Sequence, residues 1–384
     1  MKYPFNARAP AFDADAINAT IQRALASAGI DTATGPMSDV TETIRRALAV
    51  GRVAEAAPSF DSESVIDVAA RVVPTGKPGQ RGGSFESHQF SKEAGTRTYK
   101  VCVPDMQPDA PRAVIVMLHG CTQSADDFAA GTRMNRLADE HGFLVVYPEQ
   151  AAHANASKCW NWFKPQDQLR GAGEPSLIAG IASEVARSHG ADPRRIFVAG
   201  LSAGAAMAVV LGETYPELFA GVGAHSGLPY GSAHDIPSAL AAMKGGRSGM
   251  PGMKSAPASA NVKRRKATRP VPVIVFHGDR DHTVQRENGA QIVRQAQEAH
   301  EAESGAPPLN VSEQAGVASG GRRFSKAIHA DAQGRVRIES WTLHGAGHAW
   351  SGGHESGSYT DRSGPDASSE MVRFFMSIPR AGSA

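Results

Sequence analysis

The chain has 384 residues, with 40 lysines and arginines against 38 aspartates and glutamates, for a net charge of +2. That near-balance argues against nucleic acid as the main partner, because phosphate binding wants a clustered cationic excess. Apolar residues at 41% and charged residues at 20% suffice for a sizeable core, and no run approaches the ~18 apolar residues of a membrane-spanning helix.

In chain order, residues 1–74 read as a short helical extension. Ile17, Ile21 and Leu25 share one helix face near 14–28, and Val40, Ile44 and Leu48 share another near 39–49. Residues 75–94 form a Gly-rich, basic linker without periodicity. From there to residue 384 the pattern is one catalytic-type α/β domain. A strand over 96–103 is followed by AVIVML at 113–118, continuously apolar as in a strand buried on both faces. A helix over about 125–141, a strand at 143–147 and a helix opened by Pro175 come next. Short buried strands at 196–199, 221–224 and 273–276 and a strand over 335–343 complete the series. Repeated strand-helix-strand units imply a doubly wound, mostly parallel sheet with its chemistry at the carboxyl ends of the strands. The irregular insertion at about 231–271 includes a KRRK cluster at 263–266, read as a solvated, mobile surface.

The motifs fall where that sheet requires them. Gly200-Leu201-Ser202-Ala203-Gly204 follows a strand and precedes an Ala-rich helix, the context in which G-x-S-x-G holds a nucleophilic serine on a sharp turn. HGDRDHTV at 277–284 sets Asp279 and Asp281 after a strand; Asp281 is the favoured orienting acid and Asp279 the alternative. HGAGHAWSGG at 344–353 sets His348 among glycines as the base, while His344 and His354 read as satisfied loop residues. The order Ser202, Asp281, His348 is that of the α/β-hydrolase triad. The oxyanion-hole donors should be the backbone amides of Ala203 and, after the strand ending in His119-Gly120, of Cys121. His119 reads as a buried brace for that loop. Trp160, Trp162 and Trp350 are candidates to line an apolar substrate pocket. No metal-ligand spacing is present and no cofactor is called for. Cys102, Cys121 and Cys159 allow one disulfide at most, and an amino terminus without an apolar leader core sets a cytoplasmic expectation.

LHGCTQ at 118–123, CWNWF at 159–163, GLSAGAAM at 200–207, HSGLPYG at 225–231, HGDRDHTV at 277–284 and GAGHAWSGG at 345–353 together resemble the polyhydroxybutyrate (PHB) depolymerase family of esterases. The likeness covers roughly residues 95–378. It implies an α/β-hydrolase fold and serine-dependent hydrolysis of hydroxyalkanoate polymers or oligomers, with Ser202, Asp281 and His348 as the triad. It also implies that Cys121 supplies an oxyanion amide and pairs with Cys159. Feruloyl and acetylxylan esterases resemble the same family and are the alternative, with a non-catalytic granule-binding protein as the remote one.

Overall fold

The computed structural model describes residues 83–106, 110–246, 270–303 and 306–379. The two amino-terminal helices expected from the sequence and the KRRK cluster lie outside the described residues.

A ten-stranded sheet is the frame. Its strands are β1 (Ser84–Lys92), β2 (Gly95–Val103), β3 (Val114–Leu118), β4 (Leu144–Pro148), β5 (Ile196–Leu201), β6 (Gly221–His225), β7 (Val273–Gly278), β8 (Asn310–Val317), β9 (Arg323–Ala330) and β10 (Val336–Leu343), in the order β1-β2-β4-β3-β5-β6-β7-β10-β9-β8. From β4 to β10 neighbouring strands pair in parallel, whereas both ends of the sheet are antiparallel. The helices are α1 (Ala125–Thr132), α2 (Met134–His141), α3 (Gly173–Ser188), α4 (Ala203–Thr214), α5 (Ile236–Met243), α6 (Glu287–Glu301) and α7 (Ala367–Ser377). Val114, Val116 and Leu118 of β3 join the core with Ile178, Met207 and Ile292 of α3, α4 and α6. Ile115 and Met117 join the opposite core, with Phe128, Leu137 and Phe375 of α1, α2 and α7. Successive side chains leave a strand on opposite faces, so a sheet covered by helices on both sides needs apolar residues at every position. The run VIVML meets that demand. This is the α/β-hydrolase fold.

Three expectations need correction. The linker expected over 75–94 contains β1, which pairs with β2 from Ser84 opposite Val103 to Lys92 opposite Gly95. As an edge strand with most side chains exposed, SFESHQFSK carries too few apolar residues to read as a strand; its Phe90 ring packs against Gly180, where a β-carbon would strike it. The single helix expected over 125–141 is two helices, broken at Arg133 with φ of 53°. The break follows from competition for carbonyls: Gly131 accepts from the His354 amide at 2.8 Å and Thr132 from the Ser368 hydroxyl at 2.6 Å. Finally, the insertion expected over 231–271 holds a regular helix, α5, capped by Asp235, whose carboxylate accepts the Ser238 amide at 2.8 Å. Unread in the sequence were β8, β9, α6, α7 and a small parallel pair, β11 (Trp350–Ser351) with β12 (Thr360–Asp361).

Candidate active site

Ser202 stands between β5 and α4 with φ 57° and ψ −119°, a conformation costly for any residue with a β-carbon and held only where its surroundings enforce it. Its amide donates to the His225 carbonyl at 2.9 Å and its carbonyl accepts from the Ala206 amide at 2.9 Å. The flanking glycines are needed for space. A β-carbon on Gly204 would strike the carbonyl oxygens of Leu118 and His119, and one on Gly200 would lie 2.5 Å from the Gly204 carbonyl carbon and 2.7 Å from the Leu118 oxygen. The turn therefore lies directly against the end of β3, where the oxyanion loop begins. As the first helical residue, Ala203 has an amide with no acceptor one turn back, and the helix dipole favours negative charge there.

Beyond β7, Asp281 is buried and fully committed. One carboxylate oxygen accepts the amides of Thr283 and Val284 at 3.0 and 2.9 Å, and the other meets His348 Nδ1 at 2.7 Å. Burial pushes this carboxyl up, but the His348 bond, the His348 charge and the Val284 amide outweigh it and hold the pKa below the usual carboxylate range. An ionised Asp281 places the ring proton on Nδ1 and leaves Nε2 of His348 with its lone pair. Asp279 is bound elsewhere: its carboxylate takes His344 Nδ1 at 3.1 Å and the Gly345 amide at 2.6 Å. Two residues apart in the sequence, the aspartates thus serve different histidines of the same loop. His354 caps its own turn, with Nδ1 2.8 Å from the Ser356 hydroxyl.

The loop after β3 is braced from several directions. His119 is buried and accepts the Gln150 amide at Nε2 (3.0 Å), so its proton sits on Nδ1 and bonds the Gly120 carbonyl at 2.7 Å. Burial lowers its pKa and keeps it neutral. The Gly120 amide is held by Gln123 Oε1 at 2.9 Å and the Thr122 amide by the Ser157 carbonyl at 2.8 Å. Cys121, between them, forms a disulfide with Cys159 (S–S 1.99 Å). The segment carrying Cys159 is itself fixed by buried Glu174, which accepts the Asn161 amide at 2.7 Å, the Asn161 side chain at 2.6 Å and Arg97 at 3.3 Å.

Of the three tryptophans expected to line a pocket, the structure removes two. Trp160 has no exposed surface; its indole N–H donates to the His119 carbonyl at 3.1 Å. Trp350 is 1% exposed, donates to the Ser368 hydroxyl at 3.0 Å and stacks on His225. Buried rings with both ends engaged brace the loops and offer no face to a ligand. Trp162, 7% exposed, retains a little open surface.

Sequence reasoning missed the residue that joins these parts. His225 is fully buried; its carbonyl holds the Ser202 amide, its Nε2 accepts the Ser351 amide at 3.0 Å, and its ring stacks between Phe276 and Trp350. Burial, with His277 and His348 nearby, lowers its pKa to about 3. It is therefore a neutral acceptor near pH 7 that links the serine turn to the histidine loop. The motif HSGLPYG contained it, but a histidine followed by Ser-Gly carries no local sign of where its ring will point.

A family model described as Esterase PHB depolymerase matches residues 98–300. The chain belongs to this family. Poly(3-hydroxyalkanoate) depolymerase C of Paucimonas lemoignei is 35% identical over 251 residues, 64% of this chain and 56% of that protein. Feruloyl esterase B of Neurospora crassa is 38% identical over 129 residues, 33% of this chain and 43% of that one. Acetylxylan esterase A of Aspergillus oryzae is 30% identical over 223 residues, 56% and 71% of the two chains. The chain thus spans about half the length of the first two of these relatives. Among solved structures, acetyl xylan esterase from Aspergillus awamori superposes with a TM-score of 0.55 at 19% identity, covering 76% of this chain and 99% of that one, a likeness of fold.

Proposed function

We propose that the protein is a serine-dependent carboxylic ester hydrolase acting on hydroxyalkanoate oligomers or polymer through an acyl-enzyme. The observation that carries this reading is the 2.7 Å bond from His348 Nδ1 to a buried, ionised Asp281, formed across the same end of the sheet as the strained Ser202 turn. In the proposed reaction His348 Nε2 takes the Ser202 hydroxyl proton as the oxygen attacks the ester carbonyl, and Asp281 holds the imidazole tautomer and stabilises the imidazolium. The amides of Ala203 and Cys121 stabilise the oxyanion; Cys121's is the one between two amides already engaged. His348 then protonates the leaving alcohol, and water repeats the sequence to release the acid. Of the three tryptophans, Trp162 is the one that keeps open surface and is the one assigned to the acyl pocket.

The match to depolymerase C supports hydroxyalkanoates, and the acetylxylan esterase, of which a larger share is covered, supports acetylated carbohydrate as the second reading. A disulfide persists in oxidising surroundings and is rare in a reducing cytosol, so the Cys121–Cys159 bond supports an oxidising compartment over the cytoplasmic expectation. The test is a product-resolved assay of the purified protein against 3-hydroxybutyrate oligomers, acetylxylan and methyl ferulate, with fluorophosphonate labelling mapped by peptide. Labelling at Ser202 and release of 3-hydroxybutyrate are expected. Labelling elsewhere overturns the nucleophile, and release of acetate or ferulate alone reassigns the substrate.

A further inference from the structure

Tyr359 is a large aromatic residue that is 48% exposed, and its backbone sits in the left-handed region with φ of 52°. Such a conformation is uncommon for a bulky side chain and persists only where neighbouring structure enforces it. The enforcing contacts come both from the loop that carries Thr122 and from the loop beyond His348. Its carbonyl accepts the Trp350 amide at 2.7 Å, two residues beyond His348. Its hydroxyl lies 3.2 Å from Thr122 Oγ1, one residue beyond Cys121, and Thr122 is itself left-handed at φ 67°. The preceding residue is fastened to the same loop and to α1 beyond it: the Ser358 amide and hydroxyl bond Asp127 of α1 at 2.9 and 2.6 Å, and its carbonyl accepts Gln123 Nε2 at 3.2 Å.

The direction of the hydrogen bonds sets the chemistry. Thr122 Oγ1 donates its only proton to the Cys121 carbonyl at 2.6 Å, so toward Tyr359 it can act only as an acceptor. The phenolic proton is thereby committed to Thr122. What Tyr359 presents to solvent is a rigid aromatic face and an oxygen with spare lone pairs, placed between the residue expected to hold the oxyanion and the loop of the expected base. An acceptor in that place matches a ligand that carries a donor close to its ester bond.

On the ester-hydrolase reading above, we propose that Tyr359, positioned by Thr122, forms a subsite that accepts a hydrogen bond from a hydroxyl near the scissile ester and so selects hydroxyl-bearing esters over plain aliphatic ones. That hydroxyl has two sources, the free end of a hydroxyacyl chain or the sugar of an acetylated carbohydrate. The chemistry recognised is the same in both.

The test measures kcat/KM for two matched pairs, p-nitrophenyl 3-hydroxybutyrate against p-nitrophenyl butyrate, and an acetylated xylo-oligosaccharide against ethyl acetate, with the wild-type protein and Tyr359→Phe. The wild type should favour the hydroxyl-bearing ester of at least one pair, and Tyr359→Phe should shrink that preference about fivefold to tenfold, the worth of one neutral hydrogen bond. The pair that responds identifies the source of the hydroxyl. Hydrolysis with the preference unchanged in both pairs removes the subsite and leaves the esterase reading intact, whereas no hydrolysis of any of the four esters overturns both. Tyr359→Gly separates recognition from folding, because glycine accepts a positive φ without strain. It should lose the preference while Tm holds or rises; a Tm several degrees lower, with the preference kept, assigns Tyr359 to the fold and overturns the proposal.

Discussion

The two sides of the candidate site, the oxyanion loop and the acid–base loops, are built by different means. On the oxyanion side, the loop 119–123 is tied down by contacts distant in sequence: the disulfide to Cys159, the Glu174 hub beneath the segment 159–162, and the amide of Gln150 on His119. On the acid–base side, Asp279 and Asp281 leave the end of β7 and meet His344 and His348 beyond the end of the adjacent parallel strand β10, through carboxylate–imidazole bonds of 3.1 and 2.7 Å. An oxyanion donor is a backbone amide whose strength cannot be tuned, so it acts through position alone and rewards a rigid mount. A base must change charge during the reaction and keep room to do so. Gly347, beside His348, has open space around it. His225 couples the serine turn to the histidine loop, holding Ser202 through its carbonyl and Ser351 through its ring.

Substitutions that remove one side at a time sharpen this contrast. Ser202→Ala takes away the group both sides serve and should reduce ester turnover by several orders of magnitude with little change in Tm; retention of more than about a tenth of wild-type activity would refute the nucleophile. On the acid–base side, Asp281→Asn should lower kcat steeply. A loss on the order of 10⁴-fold is expected, because an amide at this position allows the wrong imidazole tautomer. Asp279→Asn keeps an oxygen for the Gly345 amide and should cost no more than about tenfold, by loosening the loop. Steady-state kinetics of both variants decide the ranking, and a reversed order would hand the role to Asp279.

Breaking the oxyanion side should act on stability first. Cys159→Ser frees the loop without removing the Cys121 amide. We expect a loss of about 2–4 kcal/mol in urea unfolding together with measurable residual activity, since no thiol takes part in the chemistry. An unchanged unfolding midpoint would show that packing alone holds the loop.

The last effect, which shows only as a dependence on pH, lies at His225 between the serine turn and the histidine loop. The folded-state pKa of His225, about 3, is well below its ordinary value of 6.5, so between those values the unfolded chain binds the extra proton. Its contribution is thus fully present above the unfolded value and is lost as pH falls toward about 3. Asp281 acts in the same sense at lower pH, its depressed pKa giving stability that is lost as pH falls through the folded value. His225→Asn should flatten the fall of unfolding free energy between about pH 6 and 4 by up to one proton's slope, ~1.4 kcal/mol per pH unit. Equal slopes in the two proteins would place the titrating group elsewhere.

The parallel centre of the sheet was legible in the sequence because burial on both faces leaves an unbroken apolar run, and β3, β5 and β7 read as such. The serine turn was legible because its glycines are imposed by backbone approach, a demand that leaves a local mark. What happens at the edges of the sheet and between its loops leaves no such mark. β1 and β8 are mostly exposed and read as polar chain, and α1 ends where residues more than 200 positions later take its carbonyls. HGDRDHTV offered two aspartates, Asp281 favoured and Asp279 the alternative, with no local feature to fix their partners. Only the register of β7 against β10, with Leu343 beside Gly278, decides that Asp281 meets His348 and Asp279 meets His344. The tryptophans show the same limit from the other direction: their places beside Cys159 and His348 suggested a pocket, and tertiary packing enclosed two of the three rings. A residue type records what chemistry is available at a position, but which partner it meets is a property of distances between segments remote in sequence, and those exist only once the sheet has closed.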